Sequence, residues 1–162
     1  MSEPATRHRN LTLGSTALLA ALSVDQASKA LVAAEAASMA GGVPVAPGFN
    51  LVFGRNSGVT FGLFGDVPWW ALTLVAAAIC AWLLRVMIAA GTRSEAVAAG
   101  LIVGGALGNV VDRLRFGAVT DFLDFYAGTW HWPAFNLADV AVVCGAALMI
   151  LRPLFADRVP AS

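Results

Sequence analysis

The sequence predicts an all-α polytopic membrane protein, with four transmembrane helices and a small sheet on the extracytoplasmic side. The first observation is composition: 59% of the 162 residues are hydrophobic and 12% are charged, whereas soluble domains carry about 25% charged residues. The second is a set of four long, mainly apolar stretches. The third is that two intervening segments are rich in Gly, Pro, Val and Phe and lack a helical pattern. The length fits one domain over residues 1–162.

Each apolar stretch is expected to form a membrane-spanning helix, since a bilayer core requires about 20 mostly apolar residues. The stretches cover residues 11–34, 70–90, 96–114 and 137–154. The second is the most uniformly apolar and the fourth is short. A cleaved signal peptide is an alternative for the first, because Arg7 and Arg9 precede it. However, Asp25 and Lys29 occupy the place of a small-residue cleavage site, so we expect a retained helix.

Basic residues indicate the orientation of the chain, because cytoplasmic loops carry an excess of Lys and Arg. With four spans, both termini and the 85–95 loop share one side. That side holds Arg7, Arg9, Arg85, Arg93, Arg152 and Arg158. The sequence therefore predicts cytoplasmic termini. It also predicts an aromatic belt near the outer face, formed by Trp69, Trp70, Trp130 and Trp132.

Two outer segments, 41–66 and 117–133, are expected to supply the sheet. Within them, residues 50–53, 59–64 and 118–125 have the composition of strands, and residues 55–58 carry turn signals. We expect this sheet to pack on the outer ends of the helices.

Ionisable side chains gather at one level of the predicted bundle, at the outer helix ends. Such groups are costly at membrane depth, and they usually pair or face a polar cavity. The polar residues at these ends and in the segment between them are Asp25, Lys29, Asn109, Asp112, Arg113, Asp121, Asp124, Asn136 and Asp139. We expect them to form one polar site.

Some of these residues also have a structural interpretation. Asp25 and Lys29 are four residues apart on a helix, so they share a face and can form a structural ion pair. A structural role is also favoured for Asp112 and Arg113, in which the arginine holds a carboxylate or a backbone carbonyl. Both interpretations stay open from the sequence.

Asp139 follows Asn136 by three residues at the start of an apolar helix, a spacing typical of a capping box. Capping does not explain why Asp121, in an extended segment leading to the same site, is also acidic. Two carboxylates within about 3–5 Å cannot both ionise freely, so one keeps a proton. Such a pair can deprotonate a water and protonate a leaving amine, as in aspartic proteases. The residues alone leave capping and catalysis as alternatives.

Other chemistries have few candidate residues. Ten basic and ten acidic side chains balance to zero net charge, so no polycationic surface indicates a nucleic acid partner. Cys80 and Cys144 lie in apolar runs and favour buried free thiols over a metal site or a disulfide. His8 lies in the basic tail on the other side, and His131 lies between two tryptophans as an interfacial residue.

Four segments match the motifs of one known family in order and spacing. They are VDQASKALV at 24–32, NLVFGRNSGVTFGLF at 50–64, GGALGNVVDRLRFGAVTDFLDF at 104–125 and FNLADV at 135–140. On these motifs the chain resembles lipoprotein signal peptidase, also called signal peptidase II. That family is the bacterial inner-membrane aspartic peptidase that removes signal peptides from diacylated prolipoproteins. The resemblance covers nearly the whole chain.

The resemblance implies four membrane helices with a small extracytoplasmic β-cradle. It implies that Asp121 and Asp139 are the catalytic aspartates, and that the cleaved bond precedes the lipidated cysteine. The residues implied to shape and support the site are Asp25, Lys29, Asn56, Gly58, Asn109, Asp112, Arg113 and Asn136. The expected partners are diacylated prolipoproteins and membrane lipid, with the chain acting as a monomer that needs no metal or organic cofactor. The segment 50–66 is expected to form a mobile wall over the substrate.

Two other functions compete with this one. In an ion- or proton-conducting protein, Asp25, Asp112 and Asp139 would relay ions and Asp121 would be dispensable. In a non-catalytic membrane scaffold, replacing Asp121 or Asp139 by Asn would lower stability without an enzymatic defect. The ordered motifs disfavour both.

Overall fold

The structure is a computed structural model that describes residues 3–39, 41–58 and 68–156. Four helices and four strands follow one another along the described chain. The elements are α1 (Glu3–Ala34), β1 (Val43–Ala46), β2 (Phe49–Asn56), α2 (Trp69–Ala89), α3 (Arg93–Phe116), β3 (Val119–Ala127), β4 (Trp130–His131) and α4 (Leu137–Ala156). The molecule is therefore mostly helical with a small sheet, as predicted.

Helix α3 is the central helix and packs against the other three. It runs parallel to α1, because Gly104 meets the backbone of Leu18 and Gly108, further along, meets Asp25. Glycine is required at both positions, since an added Cβ atom would collide with these atoms. These glycines let α1 and α3 pack closely, which brings Asp25 directly against α3.

Helix α4 runs antiparallel to α3. Gly105 of α3 meets Ala138 at the start of α4, and Gly145 meets Ala98 near the start of α3. The first turn of α4 is consequently held against the C-terminal half of α3. This is the end of the bundle at which the sheet lies.

The ends of α3 have strong capping signals. The Thr92 side chain accepts a hydrogen bond from the backbone N–H of Glu95, whose carboxylate accepts one from the Gly91 N–H at 3.2 Å. At the other end Gly117 adopts a left-handed conformation with φ 69°, and its N–H donates to the Arg113 carbonyl. A left-handed residue ends the helix sharply and suits glycine. The chain therefore turns at once into β3.

The sheet is antiparallel with strand order β1-β2-β3-β4. In the central pair, Asn50 lies opposite Asp124 and Gly54 lies opposite Asp121. The register shifts between these two pairs, which marks a bulge in the ladder. Asp121 and Asp124, which lie on opposite sides of this bulge, are therefore placed in different surroundings.

The outer surfaces of the helices are apolar. Leu74 and Val75 of α2, Val143 of α4 and Leu31 of α1 are all more than half exposed. Apolar exposure on this scale marks a surface that contacts lipid or another protein. Within the described residues, α1, α2 and α3 are long and apolar enough to cross a membrane. The crossing by α4 stays a prediction.

Several sequence-based boundaries change. Helix α1 begins at Glu3, before the apolar stretch, and its early turns are tied to the rest of the fold because Asn10 donates to the Ala90 carbonyl at 3.2 Å. Strand β2 continues through the predicted turn at 55–58 as far as Asn56, since its last residues pair with β3. The predicted strand at 59–64, and with it part of the predicted mobile wall, lies outside the described residues.

The short strands β1 and β4 were not predicted. Pro44 lowers the strand propensity of β1, and proline is tolerated there because β1 is an edge strand. One expectation about the thiols was wrong: Cys80 is buried, but Cys144 is exposed. Among the described residues no helix covers this side of α4, where Val140 and Val143 are exposed as well.

Candidate active site

Asp121 is held by amide groups from two sides. Asn56 Nδ2 donates to Asp121 Oδ2 at 2.9 Å, and Asn136 Nδ2 donates to Asp121 Oδ1 at 2.7 Å. Asp121 lies in β3, Asn56 at the end of β2, and Asn136 just before α4. Both carboxylate oxygens thus have fixed donors, so the rotamer of Asp121 is determined by the sheet and by the start of α4.

Asp139 is held in a similar way at the start of α4. Asn109 Nδ2 donates to Asp139 Oδ1 at 2.8 Å, and the Asn136 backbone N–H donates to Asp139 Oδ2 at 3.2 Å. The Asp139 N–H in turn donates to Asn136 Oδ1 at 3.1 Å. The last two bonds form the capping box predicted from the spacing. Asn136 therefore touches both aspartates, with its side-chain amide on Asp121 and its cap on Asp139.

Behind these carboxylates lies a buried ionic cluster. Lys29 Nζ lies 2.9 Å from Asp25 Oδ2 and 3.6 Å from Asp112 Oδ2, and it donates to Asn109 Oδ1 at 2.9 Å. The Asp25 and Lys29 side chains are 0% and 3% exposed. The i,i+4 ion pair predicted from the sequence is confirmed. Through Asn109, two successive hydrogen bonds link Lys29 to Asp139.

The same cluster ties the elements together. Asp25 Oδ1 accepts from the Ala138 N–H of α4 at 2.9 Å, and Asp112 Oδ2 accepts from the Thr120 N–H of β3 at 2.8 Å. Gln26 Nε2 donates to Asp25 Oδ2 at 3.1 Å and to the Gly108 carbonyl at 3.1 Å. Asp25 and Asp112 therefore position the first turn of α4 and the start of β3. These are the two elements that carry Asp139 and Asp121.

The two aspartates line one cleft of about 410 Å³ between the sheet and the helix ends. Its wall combines amides, one arginine and apolar side chains. The lining residues are Asn56, Gly58, Leu72, Asn109, Arg113, Val119, Asp121, Trp132, Pro133, Ala134, Phe135 and Asp139. The Gly58 N–H donates to Asn56 Oδ1 at 2.9 Å, so the turn after β2 also fixes the donor of Asp121. Space for a reacting group therefore adjoins both carboxylates.

The electrostatics of the cleft favour a retained proton. Burial raises the pKa of Asp121, and the neighbouring charge of Asp139 adds to this effect, whereas the hydrogen bonds from Asn56 and Asn136 and the charge of Lys29 partly offset it. Arg113 lines the cleft, and its Nε is buried without a hydrogen-bond partner among the described residues. Within the same ranges, neither Asp121 nor Asp139 forms an ion pair with a lysine or an arginine.

Asp124 does not join the cluster, contrary to expectation. It is buried beyond the bulge, where Asn50 Nδ2 donates to Asp124 Oδ2 at 3.1 Å and His131 Nδ1 lies 2.8 Å from Asp124 Oδ1. Burial raises the pKa of Asp124, but the hydrogen bonds from His131 and Asn50 outweigh this and lower it below the usual value. The alternation of a strand could have separated Asp121 from Asp124, because an odd spacing places side chains on opposite faces.

Gln26 and Thr120 also belong to this cluster, and neither was predicted as a site residue from the sequence. Gln26 is polar in an apolar helix beside Asp25, which is a usable signal at membrane depth. Thr120 contributes its backbone N–H, and its side chain accepts from Arg55 Nη1 at 3.0 Å. Within the described residues, no three metal-ligating side chains stand close enough to hold a metal ion.

A comparison with known families decides the relationship. The model of the family described as Signal peptidase (SPase) II matches residues 17–155. The chain belongs to the signal peptidase II family. Members are lipoprotein-processing proteases, and the apolar helices make this one a membrane protein.

Relatives of this signal peptidase II chain agree with the family match. A lipoprotein signal peptidase of Nitratidesulfovibrio vulgaris (strain DP4) is 48% identical over 132 residues, which cover 77% of this chain and 79% of the relative. One from Methylorubrum extorquens (strain PA1) is 45% identical over 154 residues, covering 92% and 90%. The family thus supports cleavage of prolipoprotein signal peptides.

Solved structures share the fold. A bacterial membrane enzyme determined by the in meso method at 2.3 Å resolution matches with a TM-score of 0.77 and 25% identity, covering 92% of this chain and 93% of that one. A second, at 1.9 Å resolution, matches with a TM-score of 0.76 and 26% identity, covering 88% and 92%.

Proposed function

We propose that this signal peptidase II is an aspartic endopeptidase that cuts diacylglyceryl-modified prolipoproteins immediately before the lipidated cysteine. One observation carries the proposal: Asp121 and Asp139 line the same cleft, and each is oriented by separate amide donors. Asp25, Lys29, Asn56, Gly58, Asn109, Asp112, Arg113 and Asn136 form its support. The substrate class comes from the family and from the relatives named above.

The proposed chemistry divides the work between the two carboxylates. The ionised member takes a proton from water as the water oxygen attacks the scissile carbonyl. The protonated member donates to the carbonyl oxygen and later supplies a proton to the leaving amine. Two neighbouring carboxylates titrate as a unit, so the single proton belongs to the pair. The raised pKa of Asp121 keeps that proton available nearer neutral pH.

Among the described residues no lysine or arginine forms an ion pair with Asp121 or Asp139, so the charges of Lys29 and Arg113 act on the pair only from a greater distance. Lys29 is engaged by Asp25 and Asp112, and it reaches Asp139 only through Asn109. A cation directly on Asp121 or Asp139 would lower the pKa of the pair and remove the shared proton. Arg113, with its buried unsatisfied Nε in the cleft wall, is assigned to a backbone carbonyl of the substrate.

The site is proposed to lie at the outer face of the bacterial inner membrane, with both termini cytoplasmic. All four helices, including α4, cross the bilayer in this arrangement. Trp69, Trp70, Trp130 and Trp132 are exposed near the sheet end of the bundle, as suits an interfacial aromatic belt. A lipid-anchored substrate would then present its scissile bond at the level of the cleft, to a single copy of the chain.

The test uses the full-length protein reconstituted in lipid with a synthetic prolipopeptide, in a diacylglyceryl form and in an unmodified form. The product is identified by mass spectrometry. The proposal predicts a single cut before the lipidated cysteine and slow or no cleavage of the unmodified peptide. Folded protein that cuts neither peptide, or cuts both at the same rate, would contradict it.

A further inference from the structure

A second cavity, of about 350 Å³, adjoins the catalytic cleft. Trp132, Phe135 and Asp139 line both cavities. The remaining lining residues of the second one are Val140, Val143 and Cys144 of α4. Its surface is almost wholly apolar, in contrast to the mixed wall of the cleft. We call it the α4 slot.

The α4 slot runs away from the catalytic pair along the helix. Its four helical residues follow the spacing i, i+1, i+4 and i+5, so they form one stripe on α4. From Asp139 to Cys144 this stripe extends about 7.5 Å, at about 1.5 Å per residue. Val140, Val143 and Cys144 are exposed on the outer side of the bundle. In the proposed arrangement, in which α4 crosses the bilayer, the slot is open to the hydrocarbon and points from the cleft toward the middle of the bilayer.

The shape and polarity of the slot select its occupant. An α-helix with its side chains is about 10–12 Å wide, which is too wide for a cavity of this volume against one helix face. A polar headgroup would leave its hydrogen-bonding groups unsatisfied against such a surface. A single hydrocarbon chain lying along α4 meets both conditions, since it needs only apolar contact.

We propose that the α4 slot binds one acyl chain of the lipidated cysteine of the substrate. This inference rests on the proposed function, in which the lipidated cysteine directly follows the scissile bond. With that bond at Asp139, the thioether of the cysteine lies at the mouth of the slot. The slot thus recognises the lipid modification next to the catalytic pair, and it positions the scissile bond at that pair.

The test compares two prolipopeptides that differ only in acyl length, one dipalmitoyl and one diacetyl. Cys144→Trp fills the slot, and Ile150→Trp is the matched control on an exposed part of α4 that does not line it. Each buried methylene contributes about fourfold to affinity. Losing a few of them should lower kcat/KM of Cys144→Trp for the dipalmitoyl peptide by roughly tenfold or more. The diacetyl peptide should change less than about twofold, and Ile150→Trp should change neither. Comparing variant with wild type for each peptide cancels differences in micelle or bilayer partitioning.

Equal losses for both acyl lengths, or no loss for either, would overturn the inference. If wild-type protein cleaves neither lipidated peptide, the proposed function itself fails, so the two failures are distinguishable.

A binding measurement covers the case in which Cys144→Trp misfolds. A dipalmitoyl peptide with a diazirine in one acyl chain is photolysed on otherwise native Asp121→Asn protein. Adducts on Val140, Val143 or Cys144 are expected, whereas adducts confined to Leu74 and Val75 of α2 would contradict the assignment.

Discussion

Asn136 and Asp139 hold each other through two reciprocal hydrogen bonds at the start of α4. The Asp139 N–H donates to Asn136 Oδ1 at 3.1 Å, and the Asn136 N–H donates to Asp139 Oδ2 at 3.2 Å. The spacing of these residues suggested either a helix cap or a catalytic carboxylate. The geometry makes both compatible, because a capped carboxylate is held in a fixed rotamer while it lines the cleft. Capping is here a means of orienting a functional group.

Substitutions of Asn136 should separate capping from its contact with Asp121. Asn136→Ser retains a cap oxygen but loses the amide that donates to Asp121. Asn136→Ala loses both and leaves buried groups unpaired, at a cost of about 1–3 kcal/mol. We expect both variants to lose activity and only the alanine variant to lose that much stability. Thermal unfolding and peptide cleavage measured on the same preparations test this. Full activity in Asn136→Ser would contradict a role for the amide on Asp121.

The pH profile should respond to Asn56 but not to Asn50. Both lie in β2 and donate an amide to an aspartate of β3, Asn56 to Asp121 and Asn50 to Asp124. The bond from Asn56 lowers the pKa of Asp121, so Asn56→Ala should raise that pKa further. Because the mechanism needs one proton on the pair, the alkaline limb of kcat should move to higher pH. Asn50→Ala is the control and should leave that limb in place. Equal shifts in the two variants, or a shift of Asn56→Ala to lower pH, would argue against a shared proton in the cleft.

The buried ionic cluster should be a major source of stability. Lys29→Met leaves Asp25 and Asp112 buried without their cation, and breaking a buried pair costs about 3–5 kcal/mol. Lys29→Met combined with Asp25→Asn should recover part of that loss, because the two side chains are directly coupled. Arg85→Met, an exposed charge on α2, should change stability by less than about 0.5 kcal/mol. Unfolding in detergent checks all three. A Lys29→Met protein as stable as wild type would mean that the cluster is dispensable.

Much of this fold was predictable because the hydrophobic effect acts on long sequence windows. Apolar length identified the helices, and the cost of burying charge predicted that Asp25, Lys29 and Asp112 would meet. The proximity of Asp121 and Asp139 needed more than pattern. It depends on the register of β3 against β2 and on the rotation of α4, which Gly105 sets by its contact with Ala138. Neither is encoded in local spacing.

The same limit explains the misplacement of Asp124. Hydropathy treats Asp121 and Asp124 alike, whereas the sheet gives them separate partners on the two sides of a bulge. His131 was expected to be an interfacial residue, and it is half-exposed with its ring nitrogen on Asp124. The alternation of side chains along a strand could have separated Asp121 from Asp124, but the prediction relied on composition alone.

The most direct test of the account is the cleavage rate of three aspartate variants with a lipidated prolipopeptide. Asp121→Asn and Asp139→Asn each remove one carboxylate from the cleft, and Asp124→Asn is the matched control in the same strand as Asp121. With folding verified by thermal unfolding, we expect the first two to lose about 10²–10⁴-fold in kcat and Asp124→Asn to cleave at near the wild-type rate. Substantial cleavage by folded Asp121→Asn or Asp139→Asn would contradict the assignment of the catalytic pair.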